Sequence, residues 1–391
     1  MHLRVLVIPD KFKGTLTARQ AAETIARGWH SGRPADELDL LPMSDGGDGF
    51  GEVMGALLAA VPRKIKTCDA AHRPCTARWW WQARSKTAML DTAGVVGLAM
   101  LPHRRYHPFE LDTFGLGLVL EAALKFGARR CLIGLGGSAT NDGGFGLARA
   151  LGWRFLDRSG RRIKKWIDLA DLSKLIPPEH PPRNVEFVIA VDVQNPLLGP
   201  HGASRIYGPQ KGLEPGDFAA AERALRNLAR AAKNLHGSDL ARLPGSGAAG
   251  GLGFGFCAFL PGQLVHGFEL FARESKLESK MRRADLVITG EGGIDRSTAM
   301  GKGAGCVAAL ARKLGIPCIG LSGALDRNLR SRKTFTHLAA LTELTGVALA
   351  KAQPRIWLER LAKRVASEWR VEPPLLVFFA ARPEAVIMQK T

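Results

Sequence analysis

The chain has 391 residues, 46% hydrophobic and 23% charged, which excludes a disordered protein and is long enough for two cores. No apolar run is long enough to span a bilayer, and residues 1–8 lead into a strand with no small-residue cleavage site, so a cytoplasmic protein without a membrane partner is expected. The formal charge of +19 is spread over short groups such as Arg104-Arg105 and Arg129-Arg130, with no basic tail or nucleic-acid module, which disfavours a nucleic-acid partner.

Val5-Leu6-Val7-Ile8 is a short apolar run of the parallel-strand type, followed by the loop Pro9-Asp10-Lys11-Phe12-Lys13-Gly14. Thr17 and Gln20 fit a capping box, and Ala18, Ala21, Ala22, Ile25, Ala26 and Trp29 share one helical face behind it. A second polar loop, Met43-Ser44-Asp45-Gly46-Gly47-Asp48-Gly49, opens another helix. Residues 63–92 change to short alternating segments, predicting antiparallel strands. Within them Trp79-Trp80-Trp81 would point to alternate faces and pack on both.

Strand–helix alternation then resumes. A helix follows Thr113, and the buried strand Cys131-Leu132-Ile133-Gly134-Leu135 runs into Gly136-Gly137-Ser138-Ala139-Thr140-Asn141-Asp142-Gly143-Gly144, with a helix beyond. Glycines around small hydroxyls let backbone N–H groups close around an anion, so this loop is a phosphate or carboxylate site candidate. The strand at 185–191 ends at Asp192, an amphipathic helix covers about 217–236, and Pro244 to Gly253 opens the next helix. The last third is again α/β, with strands at 284–289 and 317–321 around a helix at 304–313. Its style matches the N-terminus, so a domain built from both chain ends with the middle inserted is expected.

The six cysteines are scattered and the histidine pair His103/His107 is flanked by Pro102 and Pro108, so a transition-metal site is not expected. The loops nevertheless bring carboxylates (Asp10, Asp45, Asp48, Asp142, Asp192, Glu291, Asp295), cations (Lys11, Lys13, Lys211, Lys302) and the polar groups of Ser44, Ser138, Thr140, Asn141 and Asn195. Phosphoryl transfer needs this mixture: donors around a phosphate, carboxylates for Mg²⁺ and a base near the accepting hydroxyl. Mg²⁺ takes one or two carboxylates plus substrate phosphates, so no dense ligand motif is required. A nicotinamide-dependent hydroxy-acid dehydrogenase is the competing reading, but Gly251-Leu252-Gly253-Phe254-Gly255 lacks the strand that a dinucleotide fingerprint follows. A basic nucleic-acid-binding protein is the other.

Read together, the loops resemble the glycerate kinase family of the bacterial glycerate 2-kinase type. The resemblance is carried in family order by residues 9–14, 44–49, 136–144, Asp192-Val193-Gln194-Asn195-Pro196-Leu197, Gly208-Pro209-Gln210-Lys211-Gly212, 245–253 and Ile288-Thr289-Gly290-Glu291-Gly292, and it spans about residues 3–325. The chain departs from the family pattern at Phe114, Leu116, Leu118, Gly293 and Ser297. The resemblance implies ATP-dependent phosphorylation of D-glycerate with Mg²⁺ by a monomer or homodimer, with 3-phosphorylation or another small hydroxy acid as alternatives. It implies an α/β fold of two domains. One is a discontinuous, Rossmann-like three-layer domain (1–62 and 282–391); the other is an inserted, partly flavodoxin-like domain (63–281), with the site between them. Asp192, Asp45 and Lys13 are the expected catalytic residues. Asp10, Lys11, Ser44, Gly136, Gly137, Ser138, Thr140, Asn141, Asp142, Asn195, Lys211, Glu291, Asp295 and Lys302 are expected to bind substrate or ATP, with Asp192 and Glu291 on the metal.

Overall fold

The apolar run Val5-Leu6-Val7-Ile8 is buried throughout, as a strand covered on both faces must be. It forms the middle of β1 (Arg4–Pro9) in a computed structural model that describes residues 2–295, 298, 303–326 and 334–370. Further along come β2 (Glu37–Leu40), β3 (Val61–Cys68), β4 (Pro74–Gln82), β5 (Thr87–Asp91) and β6 (Arg130–Gly134). They are followed by β7 (Arg154–Leu156), β8 (Lys174–Ile176), β9 (Glu186–Val191) and β10 (Gly262–His266). The last are β11 (Leu286–Ile294), β12 (Cys318–Leu325) and β13 (His337–Ala340).

Two large sheets result. The first has the order β13-β12-β11-β1-β2 and is parallel throughout. The second has the order β10-β9-β6-β5-β4-β3; β3, β4 and β5 are antiparallel neighbours, and the rest run parallel. The alternating segments of 63–92 thus give the expected antiparallel strands, while β5 also pairs in parallel with β6. The first sheet takes its strands from the two ends of the chain and the second from the stretch between. β3 starts at Val61, ahead of the boundary drawn at residue 63.

Helices separate the sheets into layers. Helix Ala18–Gly32, capped by the Thr17/Gln20 box, packs with helix Pro354–Glu368 on the outer face of the first sheet. A side chain at Gly28 would run into the Glu359 carbonyl, so glycine sets how closely these two helices approach. Between the sheets, helices Phe50–Leu57, Gly267–Ser275, Leu277–Met281 and Ala304–Lys313 share one apolar cluster with Leu6, Ile8 and Val287 of the first sheet and Met89, Leu132 and Val188 of the second. Helices Phe114–Lys125 and Ala248–Phe259 cover the far face of the second sheet. A further core gathers under helix Phe218–His236 around Trp166 and Phe155.

The tryptophan run packs on both faces of β4. Trp79 and Trp81 lie edge-on to each other and to Phe126 on one side. Trp80 lies against Gly51 and Gly55 of helix Phe50–Leu57 on the other. For the site, the decisive feature is topological. From β1 the chain passes to β2 on one side, and β11 returns on the other, so a crevice opens where Asp10 leaves β1 beside Glu291 in the carboxyl half of β11.

Candidate active site

Asp10 follows the last residue of β1 and its N–H donates to the Gly290 carbonyl at 2.8 Å, which fixes it beside Gly290 and Glu291 of β11. Its side chain is buried and accepts the Lys11 N–H at 2.7 Å. Burial, and then the nearby Asp45 carboxylate, push Asp10 up to about 7. Glu291 is also pushed up to about 7, by burial first and then by Asp45 and Asp295, although it accepts the Thr298 hydroxyl at 2.8 Å. The Asp295 N–H donates to the same hydroxyl at 3.4 Å. These acids repel one another in a poorly solvated crevice, so the arrangement favours a bound cation.

Lys11 supplies one positive charge. Its Nζ lies 3.9 Å from Asp45 Oδ1, and although burial opposes the ammonium, Asp10, Asp45, Asp48 and Asp192 together raise its pKa. Asp192 stands immediately after β9 and also faces Tyr207, whose phenol is raised to about 12 by burial first and by Asp192 second. Lys13 is exposed at the rim, and its backbone N–H passes close to Gly292.

The loop at 44–49 is shaped by its own side chains. Ser44 Oγ accepts the Gly46 N–H at 3.3 Å and Asp45 Oδ1 accepts the Gly47 N–H at 3.2 Å. Gly46, at φ +100°, packs on Ala190, one residue before the end of β9. Asp91, at the end of β5, accepts the Gly49 N–H at 2.6 Å and the Ala93 N–H at 3.0 Å. Burial pushes it up to about 6. Asp91 was not among the expected site residues. Its signal was available, since it ends a buried strand as Asp192 does.

The glycine-rich loop at 136–144 divides into two halves. Gly136 and Gly137 lie directly against Gly47 and Asp48, and a side chain at either would close this approach. The remainder is a buried framework. Lys211 Nζ donates to Ser138 Oγ at 3.1 Å and to the Thr140 carbonyl at 2.6 Å, and burial lowers its pKa to about 7. Asn141 Nδ2 donates to Ser204 Oγ at 2.9 Å, while Thr140 Oγ1 and Asn141 Oδ1 are buried without protein partners. Asp142 is fully buried; Oδ2 accepts the Thr113 N–H and hydroxyl at 2.9 and 2.7 Å and the Gly146 N–H at 2.9 Å. Its oxygens are therefore spent on joining two helix starts.

Asn195 donates to the His201 carbonyl at 2.8 Å and accepts the Tyr207 hydroxyl at 2.6 Å, holding the Asp192 loop. The structure thus brings Asp10, Lys11, Asp45, Asp48, Asp192, Glu291 and Asp295 into one electrostatic neighbourhood. Lys302 lies outside the described residues. Gly255 packs on the Gly144 backbone, which leaves the dinucleotide-like glycines buried in a helix contact. Among the described residues, no three His, Cys, Asp or Glu side chains form a group that could cage a metal ion unaided.

Sequence comparison gives this geometry a family. The profile of the Glycerate kinase family matches residues 5–370. A glycerate kinase from Halalkalibacterium halodurans is 34% identical over 375 residues, covering 93% of this chain and 98% of its own. The glycerate 2-kinase of Escherichia coli is 35% identical over 331 residues, 83% of this chain and 86% of its own. A crystal structure of a Salmonella typhimurium LT2 protein assigned as glycerate kinase 2 superposes with a TM-score of 0.80 at 30% identity, covering 94% of this chain and 98% of that one. The fold is mixed α/β with parallel sheets, like that structure, and the family matches make the chain a kinase. The chain belongs to the glycerate kinase family. Among the described residues, no helix is long and apolar enough to cross a membrane.

Proposed function

We propose that the chain phosphorylates D-glycerate with ATP, giving 2-phosphoglycerate, in the crevice at the carboxyl ends of β1, β9 and β11. The observation that carries this reading is Lys11 set among Asp10, Asp45, Asp48 and Asp192, with Glu291 coupled to the same acids. Such a site can place a phosphate, a cation and a hydroxyl within one charge field.

The residues fit Mg²⁺. Asp10 and Glu291, both raised by burial and by Asp45, form a small acidic pair that a divalent ion bound mainly by phosphates would stabilise. Asp10 and Glu291 would hold it together with the phosphates, and it would supply charge neutralisation at the transferred phosphoryl group. Asp192 then takes the acceptor hydroxyl and receives its proton, with Tyr207 and Asn195 fixing its loop. Lys11 and Lys13 bind the phosphoryl oxygens as negative charge moves toward the leaving group. The attacking glycerate oxygen forms the new P–O bond as the bond to ADP breaks.

The two-domain arrangement, Rossmann-like from both chain ends and flavodoxin-like from the insert, belongs to this reading, with closure excluding water. A cytoplasmic monomer or homodimer acting on small molecules is part of it. Phosphorus NMR of the product tests it: a resonance coupled to the C2 proton of glycerate is expected. A phosphomonoester coupled to the C3 protons would assign the 3-hydroxyl instead, and the absence of a phosphoglycerate would overturn the activity.

A further inference from the structure

Beside the acidic crevice the protein contains a cavity of about 590 Å³ that the chemistry above does not use. It lies between the loop after β1, the first turn of helix Ala18–Gly32 and the side of helix Phe50–Leu57. Its volume is within the range of small-molecule sites. Leu16, Leu41, Met43, Val53, Ala56 and Leu57 give it apolar walls. Asp10, Lys11, Lys13 and Asp48 line it as well, and Arg19, Glu52 and Lys280 add further charged groups. The cavity therefore joins apolar walls to the charged groups assigned to phosphoryl transfer.

We propose that this cavity receives the nucleoside of the phosphoryl donor, its base among the apolar walls and its phosphates leaving past Lys13 toward Lys11. This rests on the kinase reading and adds to it the direction in which the donor lies. Glycerate is too small and too polar to need such a chamber. ATP combines a flat, largely apolar base with a charged triphosphate tail, and the cavity offers both kinds of lining. The acceptor is then left beside Asp192 and Tyr207, which do not line the cavity. Lys11 and Asp10 stand at the join between the two compartments.

The test separates base from phosphate. Ala56 lines the cavity from an exposed position on helix Phe50–Leu57 and is not part of the acidic crevice. In Ala56→Trp the indole would occupy the chamber; Ala56→Leu is the smaller substitution should the larger one disturb folding. Full-length wild-type and variant chains are compared for the KM of ATP, the KM of glycerate, and inhibition by inorganic tripolyphosphate. The expected result is an ATP KM raised about tenfold or more, with the glycerate KM and the tripolyphosphate inhibition constant within about twofold of wild type. An unchanged ATP KM, or equal weakening of ATP and tripolyphosphate, would overturn the proposal. In either case wild-type turnover in the same assay shows that the kinase reading still stands; a wild-type chain inactive with glycerate would instead remove that reading itself.

Discussion

Asp192 and Asp142 were both expected in the site, yet their surroundings lead to opposite behaviour on substitution. Asp192 stands just beyond β9 and faces Lys11 and Tyr207 at the crevice. Asp192→Asn is expected to abolish turnover, leaving the circular dichroism spectrum and melting temperature close to wild type. Turnover within a few-fold of wild type would remove it from the mechanism. Asp142 joins the starts of helices Phe114–Lys125 and Phe145–Ala150 through the Thr113 and Gly146 donors. Asp142→Ala leaves those buried donors unpaired and should cost about 3 kcal/mol of stability in urea unfolding. The two residues look alike in sequence because each is an Asp at the end of or after a buried strand. Only the third dimension separates a group aimed at the crevice from one consumed by backbone donors.

At the scale of elements, most strands and helices were legible because their burial follows their periodicity. The capping box at Thr17, the strand that ends before Asp192 and the amphipathic helix before Gly237 lie where the residue pattern places them. Less visible were short or weakly patterned pieces. β2 reads Glu37-Leu38-Asp39-Leu40 and is largely exposed, and β13 depends on pairing with β12. Helix Ala248–Phe259 starts with Ala249, Gly250 and Gly251 in left-handed conformations, because the Gly250 position must pass the Thr140 carbonyl. The placement of Trp80 gives an element-scale prediction. Gly55 lies against its indole, so Gly55→Val would overpack the contact between helix Phe50–Leu57 and β4. Urea unfolding should register a loss of about 1–3 kcal/mol. A change below about 0.5 kcal/mol would mean that the helix can move away from the sheet without penalty.

For the whole molecule, four carboxyls withdrawn from solvent share a direction. Asp10 and Glu291 are raised to about 7 and Asp91 and Asp142 to about 6, burial being the largest cause in each. The folded chain therefore binds protons that the unfolded chain, near the ordinary 3.8 to 4.5, has already released. Their contribution to stability is fully present below about pH 4 and is lost as pH rises through 6 to 7. Thermal melting of the unliganded chain should fall between about pH 5 and pH 8, and Mg-ATP should restore part of the loss at the upper end. Carboxylates lowered by ion pairs, such as Asp36 and Glu274, act at lower pH; Lys211, lowered to about 7 by burial, acts in the opposite sense and offsets only part of the loss from four carboxyls. A melting temperature that is flat across about pH 5 to pH 8 would argue against the shared burial of these acids.

The crevice itself was partly legible at this scale. Its loops were recognisable as a set, but their convergence depends on a chain crossing between β1 and β11 that no local pattern encodes. The central claim is that this convergence forms a phosphoryl-transfer site for glycerate. Its most direct measurement is ADP release by the purified chain in a coupled assay, omitting glycerate, ATP and Mg²⁺ in turn. Release that needs all three is the predicted result; a folded chain that releases no ADP, or releases it equally well without glycerate, would contradict the claim.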